Sequence, residues 1–332
     1  MKKTKILSIL MIASLLLVAV SGLNVNKVEA AGHETYNIGV SLPSPQNQWV
    51  AGLTYYVEQE AENSEDNYNI TVTSAGDPST QVSDVNDLLT QDLDVLVILP
   101  IESAPLTPIA QKAYTEENIP VIIVDRDIRS NTYSTYIGGN NKGIGRAAAH
   151  YIGRKLDGEG KVVEIMGPPA EITDLRSEGF HETIEEYYPD IEVIDQAAGD
   201  FQREKSLNVM QDILTSNSEI DAVYSHDDEQ SLGIAAAIKS AGREDEMFVT
   251  GAGGNKQVFQ RLMNEDDDNI ITATFTYPPT MGGSAVRLAK IMAKKEGLPS
   301  LLEPTVPRDI ILRASTVTAE NADKFYNPDS KY

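Results

Sequence analysis

The 332-residue chain contains no cysteine, and this absence excludes several kinds of site at once. Without a thiol there is no disulfide framework, no thiolate nucleophile, no cysteine-ligated metal centre and no cysteine for lipid attachment. Basic residues are also few, since 27 Lys and Arg stand against 50 Asp and Glu and give a net charge of −23. This charge repels phosphate backbones and anionic lipids, so we expect no nucleic-acid partner.

Long apolar runs are scarce, and the one that stands out lies near the N-terminus. Residues 6–20 are predominantly apolar, follow Lys2, Lys3 and Lys5, and precede small residues at 28 and 30. This order is typical of a secretory signal, so we predict a signal peptide over residues 1–30. The mature chain is then exported to the periplasm or the extracellular space, soluble and without a lipid anchor.

Short apolar runs rich in β-branched residues alternate with amphipathic stretches through the rest of the chain. This alternation predicts strand–helix units, which build parallel sheets. Because more than eight strands are predicted, we favour an α/β protein of two doubly wound lobes over a single eightfold barrel.

Polar and aromatic residues follow several predicted strands at the point where each strand ends. Asn47 and Trp49 follow the first strand, Asp125 and Arg126 follow 121–124, and Asp227 follows 222–225. Ligands bind beyond the carboxyl ends of the strands in open parallel sheets. Taken singly, a strand-end Asp or Asn is better explained as a helix cap or a turn residue.

Several segments occur in a characteristic order along the chain, namely 38–41, 47–49, 119–126, 176–180, 199–203, 207–211 and 227–229. With these segments the chain resembles the ribose-binding group of periplasmic binding proteins. These proteins are the substrate-binding components of sugar ABC transporters. The resemblance implies a type I fold, in which two lobes joined by three crossovers at a hinge enclose a sugar.

The same resemblance implies the lobe boundaries and the partners. We expect an N-terminal lobe of 36–139 and 278–308, and a C-terminal lobe of 140–277 and 309–332. The expected partners are a sugar or polyol ligand, a membrane permease and its ATPase subunit, and the protein is expected to be a monomer.

The resemblance also assigns binding roles, each with an alternative that the sequence leaves open. The predicted ligand-binding residues are Asn47, Trp49, Asp125, Arg126, Arg176, Phe201 and Asp227. Trp49 and Phe201 could instead be core residues, and Arg176 could lie on a helix surface. Asp125 and Arg126 could form a mutual salt bridge, and Asp227 could only cap a helix.

Two further predicted site positions depart from the pattern of the ribose-binding group. Gly253 stands where relatives have an acidic residue, and Tyr277 stands where ribose binders have Gln. Either the ligand lacks a hydroxyl group there, or Asn255 substitutes, or a larger ligand occupies the space. We therefore expect common ribose and glucose to bind worse than a less usual sugar or polyol.

No catalytic, metal or cofactor motif accompanies these residues in the sequence. The four histidines show no metal-ligand spacing, no Gly-x-Ser-x-Gly motif is present, and the acidic run 265–268 lacks the EF-hand pattern. We expect a non-enzymatic receptor that needs no cofactor or metal and delivers its ligand to a permease. The alternative is a ligand-sensing partner of a membrane chemoreceptor or sensor kinase.

Overall fold

A computed structural model of the protein describes residues 35–65, 67–264, 269–298 and 305–332. The predicted signal peptide and the acidic run 265–268 lie outside these residues. Within these ranges no helix has the length and apolar character needed to cross a membrane.

The first sheet has six strands, all parallel, in the order β11-β5-β4-β3-β1-β2. Its strands are β1 (Tyr36–Pro43), β2 (Tyr68–Ala75), β3 (Val95–Ile98), β4 (Val121–Val124), β5 (Thr135–Gly139) and β11 (Asp309–Leu312). The helices packed around it are α1 (Gln48–Glu62), α2 (Pro78–Leu89), α3 (Ser103–Thr115) and α9 (Met281–Ala293).

The second sheet repeats this arrangement in the order β12-β10-β9-β8-β6-β7. Its strands are β6 (Glu159–Met166), β7 (Asp190–Ala198), β8 (Ala222–Ser225), β9 (Phe248–Gly253), β10 (Ile271–Thr276) and the short antiparallel β12 (Thr316–Val317). Its helices are α4 (Asn141–Lys155), α5 (Glu171–Tyr187), α6 (Arg203–Ser216), α7 (Asp228–Ala241) and α8 (Lys256–Met263), followed by a 3₁₀ turn (Ala322–Lys324).

The central strands are short and apolar because helices cover both of their faces. In β3, Val95 and Val97 pack into one apolar cluster, while Leu96 and Ile98 pack into another on the opposite face. All four side chains are at most 1 % exposed. Strands of this kind therefore read as continuous apolar runs rather than alternating ones.

The chain passes between the two sheets three times, and the third passage differs from the prediction. We expected residues from 309 onward to belong to the C-terminal lobe, but Asp309–Leu312 pairs in parallel with β5 of the first sheet. The chain then reaches the second sheet at Thr316–Val317, beside β10. The third crossover therefore falls after Leu312, because the first sheet needs this strand to cover the edge of β5.

Candidate ligand-binding site

A cavity of about 60 Å³ lies between the lobes, at the carboxyl ends of strands from both sheets. All nine residues predicted to form the site line it, together with five that were not predicted. The lining residues are Asn47, Gln48, Trp49, Val50, Asp125, Arg126, Ile172, Arg176, Phe201, Asp227, Glu229, Gly253, Tyr277 and Tyr332. Its volume has room for several water molecules.

The first-lobe wall begins at the N-terminus of α1. Asn47 has an extended backbone, and its side-chain oxygen accepts a hydrogen bond from the Val50 backbone N–H at 2.9 Å. This is the geometry of a helix N-cap, so Asn47 fixes where the helix begins as well as lining the cavity. Two residues later, the half-buried Trp49 donates its indole N–H to the Tyr277 carbonyl at 2.8 Å. Trp49 thereby lines the cavity while it also packs against the apolar core cluster.

Asp125 and Arg126 leave β4 in different directions and are not joined in a mutual salt bridge. The backbone of Asp125 is left-handed, with φ of 62°, and its buried carboxylate accepts a hydrogen bond from the Tyr277 hydroxyl. Burial raises the pKa of this carboxyl, against the opposing effect of Arg126. The half-buried Arg126 donates to the carbonyls of Pro100 and Ile101, which aims its guanidinium along the cavity wall.

Tyr277 follows β10 and lies at the crossover between the lobes. Its side chain points into the cleft, is 4 % exposed, and has its ring 5.5 Å from that of Trp49. The closeness of the Tyr277 ring to Gly139 leaves no space for a side chain at that position. The residue at 277 is therefore part of the cavity wall and also a contact between the end of the second sheet and the first lobe.

The second-lobe wall is built around Arg176 on α5. This side chain is 4 % exposed, donates to Asn141 at 3.0 Å, and also donates to the His226 carbonyl. Its guanidinium lies 5.1 Å from the centre of the Tyr277 ring and 5.7 Å from that of Phe201. These distances are in the range of cation–π attraction, so Arg176 holds two aromatic walls together.

Phe201 lies in an uncommon backbone conformation, with φ of 56°. A bulky residue avoids this left-handed region unless its surroundings hold it there. Here its ring abuts Gly167, which has no side chain to obstruct it. The conformation places the ring in the cavity lining instead of in the core.

Asp227 combines the two roles that the sequence left open. One carboxylate oxygen accepts from the Glu229 backbone N–H at 2.7 Å and caps α7, while the other accepts from the Tyr332 hydroxyl at 3.3 Å. Burial, together with the charge of Asp228, raises the pKa of Asp227 to about 7. Asp228, also buried, has its pKa raised to about 6 and holds the Gly254 and Asn255 backbone N–H groups. The wall is therefore acidic and tightly hydrogen-bonded.

A buried acid–histidine cluster lies beneath this wall and was not predicted. Both carboxylate oxygens of Glu164 form hydrogen bonds, one with His226 and the other with His181, each at 2.8 Å. Burial opposes ionisation of Glu164, but the hydrogen bonds from the histidines outweigh it and lower the pKa. Because His226 precedes Asp227, this cluster supports the backbone that carries the cavity carboxylate. Its members lie far apart along the chain, so no local pattern indicates them.

The structure gives the space beside Gly253 to Tyr332, an occupant that none of the three sequence explanations named. A side chain at Gly253 would meet the Tyr332 hydroxyl, and the φ of 128° also favours glycine there. Asn255 is engaged elsewhere, since its side chain caps α8 and donates to Glu229 at 3.1 Å.

Two α/β lobes that enclose a small polar cavity define a class of proteins that bind a ligand between their lobes. Residues 38–297 match the family model described as a periplasmic binding protein domain, and the chain belongs to this family. This match confirms the family that the sequence resemblance implied. The fold class, two parallel-sheet lobes of the type I arrangement, is confirmed as well.

Curated relatives are similar to this chain over most of their length. The ribose import binding protein RbsB of Bacillus subtilis (strain 168) is 32 % identical over 249 residues, which is 75 % of this chain and 78 % of that protein. The Escherichia coli (strain K12) protein of the same name is 30 % identical and covers 69 % of this chain and 76 % of its own length.

Solved structures agree with the architecture. The fructose-binding periplasmic domain of a hybrid two-component system has a TM-score of 0.74 at 33 % identity, covering 87 % of this chain and 92 % of that one. An ABC-transporter solute-binding protein from Bacillus halodurans with bound myo-inositol has a TM-score of 0.78 at 22 % identity, covering 91 % and 100 %. At that identity the second similarity shows the fold alone.

Proposed function

We propose that this protein captures a sugar or sugar-like molecule in the interlobe cavity and delivers it to an ABC-transporter permease. The observation that carries the proposal is the convergence of carboxylates, arginines and aromatic rings from both lobes on one small cavity. The relatives named as ribose import proteins support the transport role.

The chemistry of the cavity suits hydroxyl groups. A sugar hydroxyl both donates and accepts, so it can bridge a carboxylate such as Asp227 and a guanidinium such as Arg126. The rings of Trp49, Tyr277 and Phe201 offer flat apolar surfaces for the C–H faces of a sugar ring. Ligand contacts to both walls would favour the closed arrangement of the lobes, and the permease would recognise that arrangement.

A binding screen of the chain from residue 31 onward tests the proposal. The panel contains pentoses, hexoses, deoxysugars, polyols and furanosides. Binding of each compound is measured in high salt as a shift in the melting temperature of the protein. A ligand at about 100 times its dissociation constant adds roughly 2.7 kcal/mol of stability, which raises the melting temperature measurably. We expect Arg126→Ala to weaken the binding of the sugar found in the screen by about tenfold or more. The control is Arg146→Ala, because the Arg146 side chain is exposed and pairs only at 3.6 Å with Glu182. A panel without any hit would overturn the proposal.

The departures at the site bear on which sugars bind well. We propose that ribose and glucose bind more weakly than a less usual sugar or polyol, because position 253 lacks a carboxylate and Tyr332 fills the space. Ribose as the tightest ligand of the panel would contradict this expectation.

We further propose that the protein is a non-enzymatic monomer that is exported after cleavage of residues 1–30. Incubation with the bound sugar followed by chromatography should recover the sugar unchanged, and a converted product would contradict the non-enzymatic role. Sizing of the secreted protein and sequencing of its N-terminus would check the monomer and the cleavage position.

A second function is favoured by one observation. The structural relative at 33 % identity is a fructose-binding periplasmic domain of a hybrid two-component system, so the same fold reports a ligand to a sensor. Genes for a permease and an ATPase beside this gene would support import, and a gene for a sensor kinase would support signalling. Loss of uptake of the bound sugar in a deletion strain would decide for transport.

A further inference from the structure

The segment 327–332 crosses from one lobe to the other and places Tyr332 inside the cavity. The Tyr332 side chain is only 2 % exposed and lines the cavity together with the nine predicted residues. Its hydroxyl donates to Asp227 of the second lobe at 3.3 Å. Its Cβ lies so close to Gly52 of α1, in the first lobe, that a side chain at position 52 would approach it to 2.8 Å.

Contacts on both lobes hold this segment in place. Lys256 donates to the carbonyls of Pro328 and Ser330 at 2.6 and 3.3 Å, which fixes the segment to the second lobe. The ammonium group of Lys331 lies 5.3 Å from the centre of the Tyr55 ring, which belongs to the first lobe. The Ser330 hydroxyl donates to the Tyr332 carbonyl at 2.7 Å and closes a local turn.

Two glycines leave the space for the Tyr332 side chain. Gly52 lies inside helix α1, where glycine is unfavourable, and Gly253 adopts a backbone angle that suits glycine. An added Cβ at Gly52 would collide with the Tyr332 Cβ, and one at Gly253 would collide with the Tyr332 hydroxyl. The absence of two side chains, one from each lobe, therefore makes the space that the Tyr332 side chain fills.

We infer that Tyr332 is a specificity-determining wall of the ligand cavity, which limits how far a ligand can extend on the side of Gly253. The inference rests on the proposed sugar-binding function. A displaceable plug is the alternative, but displacement would expose a buried aromatic ring and would break the bonds from Lys256. The space beside the ring lies among the predicted binding residues, and a second interlobe space of about 980 Å³ shares Asp125, Arg126 and Ile172 with it, so a ligand can bind without displacing the ring.

The test uses the series Tyr332→Phe, Tyr332→Leu and Tyr332→Ala, which removes the ring by steps. Dissociation constants are measured for D-galactose against lactose and for D-fructose against sucrose. In the unchanged protein the disaccharides bind more weakly than the monosaccharides. The ratio of the disaccharide constant to the monosaccharide constant stays the same in the Phe variant and falls by about tenfold or more in the Leu and Ala variants.

A ligand-free measurement accompanies the titrations. Trp49 is the one tryptophan of the chain and lines the same cavity, so acrylamide quenching of its fluorescence reports how open the cavity is. Quenching rises in Tyr332→Ala. The control is Tyr326→Ala, which removes another tyrosine of the same region that lies outside the cavity and bonds to Gln260 at 3.0 Å.

The outcomes separate this inference from the proposed function. The size-limiting role is overturned if the ratio of the dissociation constants is unchanged in Tyr332→Ala, if monosaccharides and disaccharides both bind more tightly by the same factor, or if quenching of Trp49 is unchanged. Sugar binding by the unchanged protein would still stand in each of these cases. Failure of the unchanged protein to bind any sugar, with quenching as expected, overturns the proposed function and the size-limiting role with it.

Discussion

The two lobes each present the N-terminus of a helix to the cavity, and the two ends differ in charge and burial. Asn47 caps α1 from the first lobe and is exposed, whereas Asp227 caps α7 from the second lobe and is 9 % exposed. Their backbones are nearly the same, with φ of −145° and −150°. Similar local geometry therefore serves a neutral, exposed helix cap on one side and a buried acidic cap on the other.

The difference extends to the arginines. Arg126 of the first wall is half-buried and donates hydrogen bonds to backbone carbonyls. Arg176 of the second wall is buried between two aromatic rings and donates hydrogen bonds to Asn141 and to the His226 carbonyl. The second wall is thus organised in advance, while the first wall keeps groups that can adjust. The following substitutions test this contrast.

The largest effect is expected for Arg176→Ala. It removes the cation that opposes the raised pKa values of Asp125 and Asp227 and leaves the Asn141 side chain without its donor. The free energy of unfolding should fall by about 3 to 5 kcal/mol, as when a buried charge loses its partner. Arg126→Ala should lower it by only about 1 kcal/mol, although both variants lose ligand binding. If urea unfolding showed the same loss of stability in Arg176→Ala and Arg126→Ala, the contrast between the walls would be wrong.

Asp227→Asn should stabilise the protein near pH 8. The folded-state pKa of Asp227 is about 7, above the ordinary 3.8, so the folded state holds its proton more tightly than the unfolded state. Stability from this group is therefore present at low pH and is lost as the pH rises from about 4 to 7. Asn caps helices equally well and carries no charge, so the gain at pH 8 should be on the order of 2 kcal/mol.

The check for Asp227→Asn is urea unfolding at several pH values, together with a ligand titration. The gain should shrink towards pH 4, and sugar binding should weaken because a carboxylate acceptor is lost. A variant less stable than the original protein at pH 8 would contradict the pKa argument.

A smaller effect is expected for Trp49→Phe. The change keeps an aromatic ring but removes the indole N–H that donates to the Tyr277 carbonyl at 2.8 Å. Stability should fall by about 1 kcal/mol and sugar affinity by several-fold, measured by calorimetry since the fluorescent reporter is gone. The exposed Tyr114→Phe is the control, and a Trp49→Phe protein that matches it in both measurements would mean that this bond does not organise the first wall.

The smallest effect is expected for Asn47→Asp, the counterpart of the Asp227 change. Asp and Asn are equivalent helix caps, and position 47 is exposed, so a carboxylate there keeps its water. Stability should change by less than about 0.5 kcal/mol, with no fall between pH 5 and 7. A fall across that range would show that the first wall is as desolvated as the second and would remove the contrast.

Much of the fold was predictable because the signal is local. The run at β4 is continuously apolar and the run at β8 is apolar as far as Tyr224, which is typical of strands covered on both faces. Polar residues directly after such strands lie at one edge of the sheet. The residues of the cavity that follow these strands could therefore be named in advance.

The rest depends on contacts that no local pattern encodes. Tyr332 and Asp227 are separated by 105 residues, so the occupant of the space at Gly253 could not be inferred from either segment. The left-handed backbone of Phe201 depends on the room left by Gly167. The place of β11 is likewise decided by the free edge of β5, which exists only once the first sheet has assembled.

The late position of β11 and β12 has a consequence for biosynthesis. Each sheet takes one of its edge strands from the last part of the chain, Asp309–Leu312 for the first and Thr316–Val317 for the second. A nascent chain that has emerged only to residue 300 therefore carries two sheets with open edges, which are sites for aberrant strand pairing. Both lobes gain these strands within a few residues of each other, so a chain that has emerged only to residue 308 carries two unfinished lobes instead of one finished lobe.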